Sequence, residues 1–318
     1  MTCRQIALRP GWLSPDDIEP TLKQCDGVRQ AGEESVLHFT RDTALLATTG
    51  LRSLAYLNQW AAQVDVPPPK LVFENMALFR YLDRNGYLTC LDPRIETDPL
   101  RPARSASVAM RGAASTVVEV VLIPAGEAAE VSRSVVGEMT DKVMRAVHGL
   151  SDELRKRMSN RLWGALAELI DNVPLHSETR LPGYATLQVY PTTKTVQAVV
   201  CDSGVGIPAT LRAGTSASSA GFTDEQLLQF AIERGMSRRG TSQPTGYGCG
   251  FRMIRELVTQ VGGKIEVRVP TMEFRSDTPP SSSVSPSQIQ GHVVNRDANL
   301  DGTHLGLELR LDSPGWGA

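Results

Sequence analysis

An excess of charge of one sign is missing from this chain: 33 Lys and Arg stand against 35 Asp and Glu, for a net charge of −2. With aromatics at only 5%, that balance gives no sign of a nucleic-acid surface, which a basic patch would betray. Cysteines are few and scattered. Cys3, Cys25, Cys90, Cys201 and Cys249 are odd in number and form no Cys-x-x-Cys pair. Neither a disulfide framework nor a zinc knuckle is therefore suggested, and free thiols in a reducing cytosol are the simplest reading. No stretch approaches the ~18 consecutive apolar residues of a membrane span. Residues 1–12 carry arginines and a proline but no apolar run of signal-peptide length. Gly-x-x-x-x-Gly-Lys-Ser/Thr does not occur, which excludes a P-loop. The composition points to a cytoplasmic protein of bacterial style with neither nucleic-acid nor membrane partners.

What is present fits an ordinary globular chain, with 41% apolar and 21% charged residues over 318 positions, enough for two cores. The sequence predicts a small α/β domain over 1–126 and a second domain over 127–318. In the first, residues 1–30 read as mixed and rich in turn formers, and 35–46 as short strands. Leu51, Leu54, Leu57, Trp60, Ala61 and Val64 recur at helical spacing, and Pro67-Pro68-Pro69 stops that helix. Lys70-Leu71-Val72-Phe73 reads as a short buried strand, and 79–87 as a helix ending at Gly86. Residues 97–115 read as a loop, and 115–124 as a strand. The second domain opens on a helix over 152–173, then a hairpin of 184–190 and 195–201. Helices over 222–235 and 250–261 follow, then a strand over 264–269. Residues 270–301, rich in Ser and Pro toward the middle, read as a loop. Leu305, Leu307, Leu309 and Leu311 then alternate as a last strand. No internal repeat is visible.

Three segments carry chemistry. Glu168 and Asn172, in Glu168-Leu169-Ile170-Asp171-Asn172, share one helix face at i,i+4. The amide oxygen of Asn172 suits Mg²⁺, which takes few protein oxygens beside phosphates and waters. Glu168 is placed to orient or deprotonate a water or hydroxyl attacking a γ-phosphate. Such a pair also decorates many solvated helix faces. Asp202 follows the apolar run 196–201, so its carboxylate emerges at a strand end and can accept from the exocyclic amine of adenine. Gly204 and Gly206 let backbone approach the base, although Asp-Ser-Gly is also common turn chemistry. Gly246, Gly248 and Gly250 lead into Phe251-Arg252-Met253-Ile254, and a helix start favours anions, here phosphates. A Rossmann turn is disfavoured because 240–245 is not a strand.

The ordered segments resemble the GHKL superfamily, the Bergerat-fold ATPases that include gyrase B, MutL, sensor histidine kinases and anti-sigma-factor kinases. Glu168 to Asn172, continuing to His176-Ser177, resembles the N box, Asp202 to Gly206 the G1 box, and Gly246 to Gly250 the G2 box. Gly302-Thr303 resembles the family's ending before its last strand. The likeness covers about 135–312. It implies an α/β sandwich with a mixed, mainly antiparallel sheet, and ATP held with Mg²⁺ under a lid that includes 212–245. It makes Glu168 catalytic, Asn172 the metal ligand, and Asp202, Gly204, Gly206, Gly246, Gly248, Gly250 and Thr303 nucleotide contacts. The family rarely follows its metal ligand with Val173-Pro174, and the proline is expected to end or kink the helix. Arg238 and Arg239 in the lid are candidates for a γ-phosphate contact. His148, beside Gly149, makes a poor phosphoacceptor helix.

Residues 71–82 faintly resemble STAS-like modules, which implies a protein partner bound through the N-terminal domain. Three functions stay open: a slow Mg-dependent ATPase whose nucleotide state switches a partner or a homodimer, a serine/threonine kinase of the anti-sigma type, and a nucleotide sensor without hydrolysis. No dimerisation helix is legible.

Overall fold

A computed structural model describes residues 3–125, 129–176, 179–214, 221–234, 250–279 and 291–317. The first seventeen-residue helix, α1 (Pro15–Ala31), starts where local chemistry favours it. The Asp17 carboxylate accepts from the Ser14 backbone N–H at 2.8 Å and from its hydroxyl at 2.7 Å, and Pro15 sits at the first helical position. It ends at Gly32 in the left-handed region (φ 64°), where Gly32 N–H donates to the Arg29 carbonyl and Glu33 N–H to that of Val28. This helix lies within the stretch expected to be mainly turns. The strands β1 (Arg4–Leu8) and β2 (Gly11–Leu13) precede it.

The next unit repeats that plan as β3 (Ser35–Phe39), β4 (Thr43–Leu45) and α2 (Ala47–Ala61). A third, shorter version is β5 (Lys70–Phe73) with α3 (Met76–Arg84), followed by the one-turn α4 (Tyr87–Cys90) and β6 (Thr97–Asp98). A one-turn α5 (Ala106–Ala109) lies within the expected loop. The sheet order is β1-β3-β5-β6, all parallel, with Ile6 opposite Leu37 and Leu8 opposite Phe39, and β2 pairs with β4. A structural repeat therefore exists where none is visible in the residues. Its repeated feature is the backbone path, and the side chains differ at matching positions.

A seven-stranded sheet of order β12-β11-β10-β13-β9-β8-β7 forms the second layer. Its strands are β7 (Val117–Ile123), β8 (Gly183–Tyr190), β9 (Thr195–Cys201), β10 (Gly263–Val269), β11 (Met272–Thr278), β12 (His292–Asn295) and β13 (His304–Arg310). Every neighbouring pair is antiparallel, so the sheet is not mixed. The strand at its edge, β7, lies ahead of residue 127. Two strands, β11 and β12, occupy the stretch 270–301 expected as a loop; residues 280–290 of it lie outside the described residues.

Side chains alternate across the sheet with period two. Val196, Ala198 and Val200 of β9, Ile265, Val267 and Val269 of β10, and Leu305, Leu307 and Leu309 of β13 point to one face. There they pack under α6 (Ala129–Ala146), α7 (Asp152–His176) and α10 (Gly250–Val261), with α9 (Asp224–Arg234) alongside. The sequence reading had no counterpart for α6. The α7 helix does not stop at Val173 but runs through Pro174 to His176. The ring deletes one intrahelical bond, that to the Ile170 carbonyl, and the helix runs only two residues beyond it.

The opposite face is also covered. Tyr184, Val199 and Cys201 join one continuous core with α1 and α2 of the N-terminal unit, together with Ala298 and Leu300. All fifteen residues of α2 are buried. An antiparallel sheet commonly leaves one face in water, and this one does not.

Candidate functional site

Asp202 leaves the end of β9 as expected and is 9% exposed. Its carboxylate accepts from the Gly204 N–H at 2.8 Å and from the Thr303 N–H, and its own N–H donates to the Thr303 carbonyl at 3.0 Å. Burial pushes this carboxyl up to about 6 against the pull of those two donors. An acceptor so desolvated is matched to a neutral donor such as an adenine amine.

Glycines make this corner possible. Gly302 has φ 93°, and a Cβ there would fall 2.1 Å from the Asp202 carbonyl oxygen. Gly206 has φ 79° and would place a Cβ 2.9 Å from the Pro270 ring. Beyond it, Ile207 and Pro208 open a helix, α8 (Ile207–Gly214).

Glu168 and Asn172 lie half-buried on α7. Burial, then the nearby charge of Asp171, raises the Glu168 carboxyl above its ordinary value. The end of α7 is drawn to the Asp202 strand by Gly183, where a Cβ would meet the Val173 side chain at 2.4 Å and the Cys201 carbonyl at 2.8 Å. Val173 follows Asn172 and Cys201 precedes Asp202, so these two segments converge. α10 packs antiparallel on α7: Arg161 donates to the Gln260 side chain at 2.6 Å, and Gly164 leaves room for Met253. The start of α10, Gly250, is thereby directed toward the Glu168–Asn172 end. Gly246 and Gly248 lie outside the described residues, as do Arg238 and Arg239. His148 is exposed in the link between α6 and α7, on no helix.

The family model for histidine kinase-, DNA gyrase B- and HSP90-like ATPases matches residues 158–310. This part of the chain belongs to the GHKL ATPase superfamily. Among curated proteins, none matched the chain. The GHKL domain is an ATP-binding one, and no helix of the described residues is long and apolar enough to cross a membrane. In the structure β7 and α6 lie ahead of the matched region and pack with it in the same sheet and helix layer.

The residues of the GHKL domain fit Mg-ATP by their donor chemistry. Asp202 is a buried acceptor beside glycine backbone, and the amide oxygen of Asn172 is a single hard donor, which suits Mg²⁺ when phosphates and waters supply the rest of its shell.

Sequence reasoning missed Gln59 of α2. Its Nε2 donates to Ser203 Oγ at 3.0 Å and to the Asp301 carbonyl at 2.9 Å, and its Oε1 accepts the Asp301 N–H at 3.2 Å. His304 was missed as well. Burial holds its imidazole down to about 3, so it is neutral, and Nε2 donates to the Asp301 carbonyl at 2.9 Å. Gln59 had no local signal because its partners lie far along the chain, and His304 had none because its burial is set by the elements packed over it, although its partner Asp301 is three residues away.

Proposed function

We propose that the protein binds Mg-ATP through Asp202, Asn172, Gly204, Gly206, Gly246, Gly248, Gly250 and Thr303, and hydrolyses it slowly with Glu168 as base. Nucleotide state then switches a protein partner, met through the N-terminal unit, or a homodimer. The observation that carries this reading is Asp202, a nearly buried carboxylate at a strand end, braced by the Gly204 and Thr303 N–H groups within a matched GHKL domain.

Asp202 accepts from the adenine amine and excludes guanine, whose corresponding position carries an oxygen. Glu168, made more basic by burial, takes a proton from the attacking oxygen at neutral pH. When bound, Mg²⁺ neutralises phosphate charge and orients the γ-phosphoryl group. Asn172 holds the metal from α7, one turn from Glu168, and the start of α10 offers backbone N–H groups to the phosphates.

The kinase reading shares this pocket, since a base that serves water also serves a serine hydroxyl. Incubation with γ-labelled ATP and Mg²⁺ separates them. Free phosphate without labelled protein is the expected result. Label on this chain or on an added STAS-like protein makes it a kinase. Bound ATP with neither signal makes it a sensor. Glu168→Ala is expected to spare binding and cut turnover by roughly 10²–10⁴-fold.

A further inference from the structure

We propose that the N-terminal unit completes the nucleotide site, with Gln59 of α2 as a positioning residue that braces the Asp202 loop against the 301–303 turn. The inference rests on Asp202 being the adenine acceptor.

Two loops meet at Asp202, and neither is held by its own sheet alone. The first, 202–206, is fixed at Ser203 by the Gln59 amide at 3.0 Å. The second, 298–303, supplies both Thr303 groups that hold Asp202. Gln59 pairs with both the N–H and the C=O of Asp301, two residues before Thr303, so one buried side chain spans both loops. With Nε2 donating twice and Oε1 accepting once, no other residue type of this length can make the same three bonds.

The rest of 298–301 is also seated in the N-terminal unit. Asn299 N–H donates to Asp26 of α1 at 2.6 Å, and Asp26 is itself held by Tyr56 Oη at 2.8 Å and Arg29 at 2.7 Å. Ala298 and Leu300 are buried in the core that α1 and α2 build. The end of α2 is pinned where β8 begins and β9 finishes: Asn58 Nδ2 reaches Tyr184 Oη at 2.6 Å, and Tyr184 lies opposite Cys201, the residue before Asp202. A displacement of α2 therefore moves Ser203 and Asp301 together. By linkage, a ligand of the N-terminal unit that shifts α2 changes nucleotide affinity, and nucleotide changes that ligand's affinity by the same factor.

The test compares the full-length wild type, Gln59→Met, Ser203→Ala and Asp202→Asn for ATP and GTP affinity, with thermal midpoints recorded alongside. Gln59→Met keeps the length of the side chain and removes its three bonds. It is expected to weaken ATP by roughly tenfold, the order of magnitude for such a polar loss, while GTP changes little, so that base preference shrinks. Ser203→Ala removes one acceptor, should act in the same direction, and answers the question if Gln59→Met does not fold. In the double variant the two effects should add to less than their sum. Equal loss for ATP and GTP, or unchanged affinity in both single variants while Asp202→Asn loses ATP, overturns the brace and leaves the adenine reading standing. A wild type that does not prefer ATP overturns the adenine reading and the brace with it.

Discussion

The two faces of the seven-stranded sheet are both buried and are held by different physics. On the helix side, Val118, Leu166, Leu187, Val258 and Leu307 belong to a core of aliphatic side chains under α6, α7 and α10. On the other side, toward α1 and α2, the sheet presents charge. Arg52 of α2 and Glu273 of β11 are both fully buried and meet at 2.6 Å. Glu273 also takes Arg275 at 2.9 Å and Arg296, and both arginines reach Asp16 of α1. Buried Arg268 donates to Glu19 of α1 at 3.0 Å and to the Ala298 carbonyl at 2.7 Å. Apolar packing tolerates small slips in relative position, because dispersion and burial are non-directional. Ion pairs out of water do not, since a displaced partner leaves a desolvated charge behind. The charged pairs therefore add a fixed orientation between the N-terminal unit and the nucleotide loops to the apolar burial that both faces share.

Breaking the charged face should give the largest effect. Arg52→Met leaves Glu273 buried without its fully enclosed partner, and a loss of about 3–5 kcal/mol is expected from denaturant unfolding. Removing Glu273 as well, as Arg52→Met with Glu273→Leu, also takes a partner from Arg275 and Arg296, so recovery of only part of that loss is expected. A double variant no better than the single one would mean that the pair itself is a net source of stability. Leu166→Ala on the helix side should cost about 2–5 kcal/mol by cavity formation, with no change in base preference.

Acid sharpens the comparison, because the buried groups Glu273 and His304 both lie on the far face. Desolvation raises the Glu273 carboxyl, but Arg52, Arg275 and Arg296 outweigh it and bring it down to about 2. Its contribution is present above the unfolded carboxylate range and is lost as pH falls from there toward 2. His304, held down to about 3 by burial, must stay uncharged in the folded chain. Its contribution is full above the unfolded imidazole value and is lost as pH falls from about 6.5 toward 3, by as much as a few kcal/mol in total. His304→Gln should flatten stability between pH 6.5 and 4, whereas Leu166→Ala should keep the slope.

A subtler effect separates site from scaffold. With Asp202 near 6 in the folded chain, the ratio of ATP to GTP affinity is expected to rise as pH increases through 6, since the donated amine prefers a carboxylate. The ratio cancels phosphate titration, which the two nucleotides share. A flat ratio from pH 5 to 7.5 would remove Asp202 from base recognition. Smallest of all, Lys23→Ala, which breaks an exposed pair with Asp297, should leave both the denaturation midpoint and nucleotide binding unchanged.

Much of the sheet was legible. β5, β9, β10 and β13 fall close to their expected spans because a buried strand needs an apolar residue at every second position, and Leu305, Leu307 and Leu309 show that pattern openly. α10 was legible for the same reason at helical period. The missed elements have weaker patterns. α1 carries Asp16, Asp17, Glu19 and Asp26 toward a charged interface, so it lacks an apolar stripe wide enough to announce itself. β11, Met272-Glu273-Phe274-Arg275-Ser276, alternates, but its second face is ionic and reads as solvent-exposed.

At the site, residue types at short range were enough to raise the Glu168, Asn172 and Asp202 segments, because a helical turn or a strand end fixes how such groups project. Those local rules are properties of the sequence itself. Gln59, Asp301, His304 and the Arg52–Glu273 pair belong to the tertiary structure alone. On its own helix Gln59 is one polar residue among several, beside Asn58 and Ser53, and nothing within reach of it in the chain says that its face is dry. Only when α2 is laid across the ends of β8 and β9 do Ser203 and Asp301 come within hydrogen-bond distance, 144 and 242 residues further along. A backbone pattern repeats every few residues and can be read locally, but the partner of a buried polar group is chosen by which two surfaces exclude water together.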